Sequence, residues 1–181
     1  MTERPSIVGP ETMTAPFPIQ VDTDIIGGFG RGSSELGIPT ANIAADGPLQ
    51  QLDHGVYYGW TRVIPKVGKK TDSMKIKDRD VEFNYGAKLG PDDLGVLPMV
   101  MSIGWNPFYN NSEKSAEIHI MHKFKDTFYG SEIKVVIAGF IREDTSFDSM
   151  DDLIKAINTD IDVAHNSLAR PAYQEAKSLI S

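Results

Sequence analysis

The strongest constraint on the fold is a succession of short strand-like runs that gives way, late in the chain, to one helix-periodic run. Gly55 to Val63 (GVYYGWTRV) is dense in aromatic and β-branched residues, the types that suit a pleated, half-buried surface. Leu97 to Trp105 is a second apolar run. From Ala116 to Phe124 polarity alternates. Ile118, Ile120 and His122 are expected on one face and Glu117, His119 and Met121 on the other, the period of two of a strand. Ile133 to Ile141 is apolar enough to be buried on both faces. Pro107, Asn110, Asn111 and Gly130 mark turns between these runs, at the short spacing of a sandwich or barrel. An earlier strand is expected from Ile19, through Val21, Asp24 and Ile25, into the glycines at 27, 28, 30 and 32, with a loop following to about Asn42.

The period changes only after Ser149. Met150, Leu153, Ile154, Ile157, Ile161, Ala164 and Leu168 follow helical spacing. Ser149 is placed to cap them, with Asp152 three residues on as a short capping box. The expected helix spans 149–170. Pro171 ends it or opens a shorter one carrying Tyr173, Ala176 and Ile180. Several strands and then one terminal helix predict a mainly β chain, a β-barrel with a helix packed across it.

Composition closes off several functions. The 181 residues form one domain with tails at most, and 18 basic against 25 acidic residues leave a net charge of −7. That balance disfavours a general nucleic-acid binder. With no cysteine, disulfides, thiolate nucleophiles and Cys-ligated zinc are excluded. No apolar run approaches the ~20 residues of a membrane helix, and no signal-peptide core opens the chain. A cytoplasmic protein is expected. Residues 1–17, with Pro5, Pro10 and Pro16, are expected to be a flexible arm ahead of a domain over 18–181. Between 66 and 95, Lys66, Lys69, Lys70, Lys75, Lys77 and Arg79 crowd together but alternate with Asp72, Asp78 and Asp80. A solvated hairpin or loop insertion is expected there rather than a basic nucleic-acid patch, because no aromatics interleave with the charges.

Three segments could carry chemistry. In GGFGRGSSELGIPTAN, Gly27 to Asn42, glycines allow backbone N–H groups to approach an anion. The stretch is neither a Walker loop, since Ser33 stands where Lys is required, nor a dinucleotide fingerprint. An ordinary flexible loop remains the alternative. Thr40 and Asn42 lie two apart, so an extended backbone projects both to one side. They are neutral oxygen ligands suited to Mg²⁺ already held by nucleotide phosphates, or else groups that satisfy a turn. Glu117, inside an apolar run, is either on a solvated face or in a functional cleft as a general base. His119 and His122 fall on opposite faces of a strand and are not expected to share a metal. Trp105, Phe108, Tyr109, Phe128 and Tyr129 fit an aromatic pocket and core packing equally. The third segment, Phe140 to Ser149, reads as a polar loop in which Arg142 suits an anion and Phe147 a planar ring.

Taken together, GFGRGSSELGIPTAN (Gly28 to Asn42), GVYYGW (Gly55 to Trp60), SIGWNPFYNN (Ser102 to Asn111), EIHIMHKFKDTFYG (Glu117 to Gly130) and SFDSMDDLIKAINTDI (Ser146 to Ile161) resemble the riboflavin kinase family, of the monofunctional eukaryotic type. The resemblance covers most of 18–170 in order. It implies a six-stranded Greek-key β-barrel with a C-terminal helix packed on it. It implies transfer of the ATP γ-phosphoryl to the ribityl 5′-hydroxyl of riboflavin, giving FMN and ADP. There is no room for the adenylyltransferase domain of bacterial relatives, so FAD synthesis is not expected.

Carried over by position, Thr40 and Asn42 would bind the nucleotide's Mg²⁺, with Zn²⁺ possible, and Glu117 would be the catalytic base. Gly28 and Ser34 would lie against the nucleotide, as would Ile120, His122 and Tyr129. Arg142, Thr145 and Phe147 would sit on the flavin side. The family often has Lys where this chain has Ser34, which puts one cationic phosphate contact in doubt. A monomer is expected, with no nucleic-acid partner and no membrane span. The rival readings are a non-catalytic flavin-binding barrel or an FMN-dependent oxidoreductase, and a small oligonucleotide-binding barrel.

Overall fold

The computed structural model describes residues 4–26, 40–76, 79–105, 114–124, 128–143 and 147–181. Eight strands run in chain order: β1 (Ile19–Asp24), β2 (Thr40–Ala44), β3 (Gly55–Ile64), β4 (Asp72–Ile76), β5 (Arg79–Phe83), β6 (Leu97–Trp105), β7 (Lys114–Ile120) and β8 (Glu132–Glu143). Six of them pair antiparallel in the order β1-β8-β3-β6-β7-β2. The sheet curls into a half-barrel, and an isolated bridge between Ile26 and Asn42 brings the trailing end of the first edge strand to the other edge. This is the expected six-stranded β fold. The remaining two strands, β4 and β5, form a separate hairpin inside 66–95.

The alternation within β3 shows why the sheet has two useful faces. Tyr57 and Val63 join an interior cluster with Met99, Met101 and Ile103 from β6, Ile118 and Ile120 from β7 and Ile133, Val135 and Ile137 from β8. Val56, Tyr58 and Trp60 point the other way and meet the C-terminal helices. A strand buried on both faces carries no polar alternation, so β3 reads as a continuous apolar run. At Gly59 the backbones of β3 and β8 close in: a Cβ there would stand 1.9 Å from the Val136 carbonyl oxygen. The pairing with β8 shifts register beside this residue, so glycine is what lets the two central strands stay bonded through the irregularity.

Helix α1 (Met150–Leu168) starts where Ser149 Oγ accepts the Asp152 N–H at 3.1 Å. Its covered stripe is Asp160, Val163, Ala164, Ser167 and Leu168, laid over Val56, Val100, Val136 and Ala138 on the outer face of the sheet. Met150, expected at the head of the stripe, is half exposed. Pro171 opens the short helix α2 (Pro171–Glu175), whose Tyr173 is fully buried. Burying a ring of that size is worth roughly 2–3 kcal/mol. The Trp60 indole N–H donates to the Tyr173 carbonyl at 2.8 Å.

The structure adds one feature to these expectations and corrects two. First, from Arg4 on, the N-terminal segment hydrogen-bonds to the C-terminal region. The Val8 N–H donates to Ser167 Oγ, the Asn166 amide donates to the Ser6 carbonyl, and Arg170 donates to the carbonyls of Val8, Gly9 and Pro10. Backbone carbonyls that no strand or helix uses find donors on α1 and the turn after it. Second, β7 stops at Ile120 and the chain bends, with the Met121 N–H donating to the Pro98 carbonyl. His122 therefore leaves the strand face assigned to it. Third, β8 continues to Glu143. Arg142 stands on a strand, paired with Val56, and not in a loop.

Candidate active site

The candidate site is assembled by register. Asn42 on β2 lies opposite Glu117 on β7, Glu117 opposite Ser102 on β6, Ser102 opposite Val56 on β3, and Val56 opposite Arg142 on β8. Directly opposed residues of an antiparallel ladder point to the same side. One row thus crosses five strands on the face that also carries α1. The neighbouring row holds Thr40, His119 and Val100. The β2 segment was expected only as the end of a loop. As a strand it places Thr40 and Asn42 on the Glu117 side while Ala41 and Ile43 enter the interior cluster.

Glu117 and His119 share that face, as their spacing predicts, and His119 Nε2 lies 3.0 Å from Glu117 Oε1. The carboxylate is 41% exposed and the imidazole 8%. Two effects compete on the Glu117 carboxyl. Partial burial pushes its pKa up, while the hydrogen bond and charge of the His119 ring pull it down. The second wins, and the pKa lies below the ordinary glutamate value. Glu117 is an ionised, half-exposed acceptor with one oxygen still available. With Nε2 donating to Glu117, the buried Nδ1 of His119 has no partner among the described residues. Two-residue spacing to Glu117 is the sequence signal that puts His119 on this face, and nothing short of the β6–β7 register signals Ser102.

Thr40 and Asn42 are 6% and 4% exposed. With Glu117 across the ladder they make an all-oxygen set of hydroxyl, amide and carboxylate. That chemistry fits a hard divalent cation which keeps water and phosphate among its ligands. No cluster of three or more His, Asp or Glu that could hold a metal exists among the described residues.

The other expected site residues divide. Ile120 is fully buried in the interior cluster, so its side chain lies on the face away from Glu117. His122 Nε2 is 2.8 Å from Asp93 Oδ1, and its ring packs edge-on against Phe124. Asp93 Oδ2 also accepts the Gly90 N–H, so His122 ties the segment returning from the hairpin to the end of β7. Tyr129 packs near Phe83 and Phe128. None of these three side chains joins the Glu117 row.

Arg142 does stand in that row. Its Nε and Nη2 donate to Asp160 of α1 at 2.9–3.2 Å, and its guanidinium lies 5.4 Å from the centre of the Phe147 ring. Its charge is spent on Asp160, which answers the expectation of an anion site with a buried ion pair. The sequence signal for Asp160 is its spacing of three and four to Val163 and Ala164, which puts a carboxylate in the apolar stripe of α1. Gly28, Ser34, Phe108, Tyr109 and Thr145 lie outside the described residues.

Comparison with known proteins agrees with this architecture. A sequence model of the Flavokinase family (riboflavin kinase) matches residues 15–168. The riboflavin kinase of Scheffersomyces stipitis is 50% identical over 176 residues, covering 97% of this chain and 99% of its own. That of Meyerozyma guilliermondii is 44% identical over 180 residues, covering 99% and 100%. Among solved structures, riboflavin kinase from Trypanosoma brucei superposes with a TM-score of 0.63 at 27% identity, over 91% of this chain and 88% of that one.

Proposed function

Since the chain belongs to the riboflavin kinase family and is accordingly a kinase that converts riboflavin to FMN at the expense of ATP, we propose that the Glu117 row is where the transfer takes place. The supporting observation is the row itself. It puts an ionised carboxylate between a pair of neutral oxygen ligands on one side and a guanidinium-backed aromatic ring on the other. Glu117 and Arg142 are three strand spacings apart, about 14 Å along the sheet. In this reading the flavin is assigned to the Phe147 end of the row and its 5′-hydroxyl to Glu117, while Val56 between them stays covered by α1.

In this reading Glu117 accepts the hydroxyl proton as the oxygen attacks the γ-phosphorus of ATP, and ADP leaves. The His119 N–H keeps the carboxylate ionised and aimed. Thr40 and Asn42 hold the nucleotide's divalent metal, which supplies charge neutralisation on the phosphates. Mg²⁺ fits best, with Zn²⁺ as the alternative. The glycine segment with Gly28 and Ser34 covers the phosphates. Ile120 serves through its backbone at the end of β7, while His122 and Tyr129 shape the nucleotide end by holding the segments around it. Arg142, Thr145 and Phe147 line the flavin side. The protein acts as a cytoplasmic monomer. Among the described residues no helix is long and apolar enough to cross a membrane.

The test is incubation with riboflavin and ATP, with and without added Mg²⁺ or Zn²⁺. FMN and ADP should appear in equal amounts and only with metal. Metal-independent FMN formation would remove the roles given to Thr40 and Asn42.

A further inference from the structure

The N-terminal arm is joined to the flavin end of the row by charge. Asp160 is 2% exposed and faces two guanidinium groups. Arg142 takes both of its oxygens, Nε at 3.0 Å to Oδ1 and Nη2 at 2.9 Å to Oδ2. Arg4 takes another position on Oδ1, at 2.6 Å through Nη2, while its Nη1 reaches the Ala156 carbonyl at 3.4 Å. A carboxylate offers about four lone-pair positions, so both cations can be served at once only if its plane is held in one orientation. Arg4 therefore fixes that plane from the arm side. Arg142 reads it from the sheet side and carries it to Phe147, over which its guanidinium lies.

The arrangement is more than a tether. An arm that only needed docking is already held by Arg170, Ser167 and Asn166. A second guanidinium reaches the same buried carboxylate from the arm, with the Arg4 side chain 31% exposed and the Asp160 carboxylate 2%. Arg4 has no other acidic partner among the described residues.

We propose that Arg4 is a positioning residue for riboflavin, acting through Asp160 and Arg142 on Phe147. The proposal rests on the reading that Phe147 lies against the flavin. Arg4 touches no substrate. Its effect is to restrict the Arg142 plane and so the ring stacked on it, and this should favour binding of the flavin and leave the nucleotide end alone.

Steady-state kinetics of the full chain test this. Arg4→Ala should raise the riboflavin KM about three- to tenfold with the ATP KM within twofold, and Arg4→Lys, which keeps one donor on Asp160, should fall between it and wild type. Asn166→Ala removes the bond to the Ser6 carbonyl without touching Asp160 and should leave both KM values unchanged. Phe147→Ala should raise the riboflavin KM, and adding Arg4→Ala to it should produce no further rise, because coupled residues are not additive. An unchanged riboflavin KM in Arg4→Ala, beside a raised one in Phe147→Ala, overturns the inference alone. So does an Asn166→Ala effect as large as that of Arg4→Ala, since the arm would then act as a cover. An unchanged riboflavin KM in Phe147→Ala overturns the flavin reading beneath it.

Discussion

Thr40 and Asn42 illustrate how much a side chain's role depends on what stands opposite. Both are nearly fully buried, and a buried hydroxyl or amide is destabilising unless something takes its hydrogen-bonding capacity. They face Glu117 and His119 across the β2–β7 ladder, and the role proposed for them is as ligands of a cation that arrives with the nucleotide. Each should therefore be needed at limiting metal and matter less at saturating metal. Thr40→Ala and Asn42→Ala are expected to raise the Mg²⁺ concentration needed for half-maximal rate by about tenfold, the equivalent of roughly 1.4 kcal/mol. Riboflavin affinity measured by fluorescence titration without nucleotide should move less than twofold. Wild-type rates for both variants at limiting Mg²⁺ would take the metal away from β2.

At the scale of the element, the two central strands determine whether the row exists at all. Glu117, Ser102, Val56 and Arg142 align only because β3 keeps both of its neighbours in register, and the tightest approach in that arrangement is at Gly59. A methyl group there meets the Val136 carbonyl carbon and oxygen, which are backbone atoms and cannot swing aside. Gly59→Ala should destabilise the fold by about 3 kcal/mol, lowering Tm by roughly 6–12 °C for a chain of this size. Gly95→Ala is the control, since nothing lies within 4 Å of an added Cβ at that position. Its Tm should stay within about 2 °C of wild type, as for most surface changes. Equal melting of the two variants would mean that β3 and β8 are not paired as described.

For the molecule as a whole, what was legible in the sequence is what local pattern encodes. β3, β6 and β8 were readable because burial on both faces leaves uninterrupted apolar runs, and α1 because its stripe repeats with helical period. The helix cap was readable because Ser149 and Asp152 stand at the spacing the bond requires. β2 was not, since Thr40 to Ala44 is five residues long and becomes a strand only by pairing with β7. The docked arm left no pattern, because its anchors are backbone carbonyls gripped by Arg170 and Asn166. The Asp160 pairs were hidden for a related reason: a carboxylate inside an apolar stripe is explained only by cations that come from 18 and 156 residues away in the chain. The candidate site depends on register, which joins strands far apart in the chain: residue types and spacing point to Thr40, Asn42 and Glu117, while Ser102 and Asp160 carry no role until the strands and helix are placed. The role proposed for Glu117 as the base of this row is read out by single-turnover FMN formation in Glu117→Gln at saturating riboflavin and MgATP, with both dissociation constants measured alongside. The amide keeps the shape and cannot take the proton, so the rate should fall by about 10²–10⁴-fold while both dissociation constants stay within about threefold; a rate within a few fold of wild type would contradict the account.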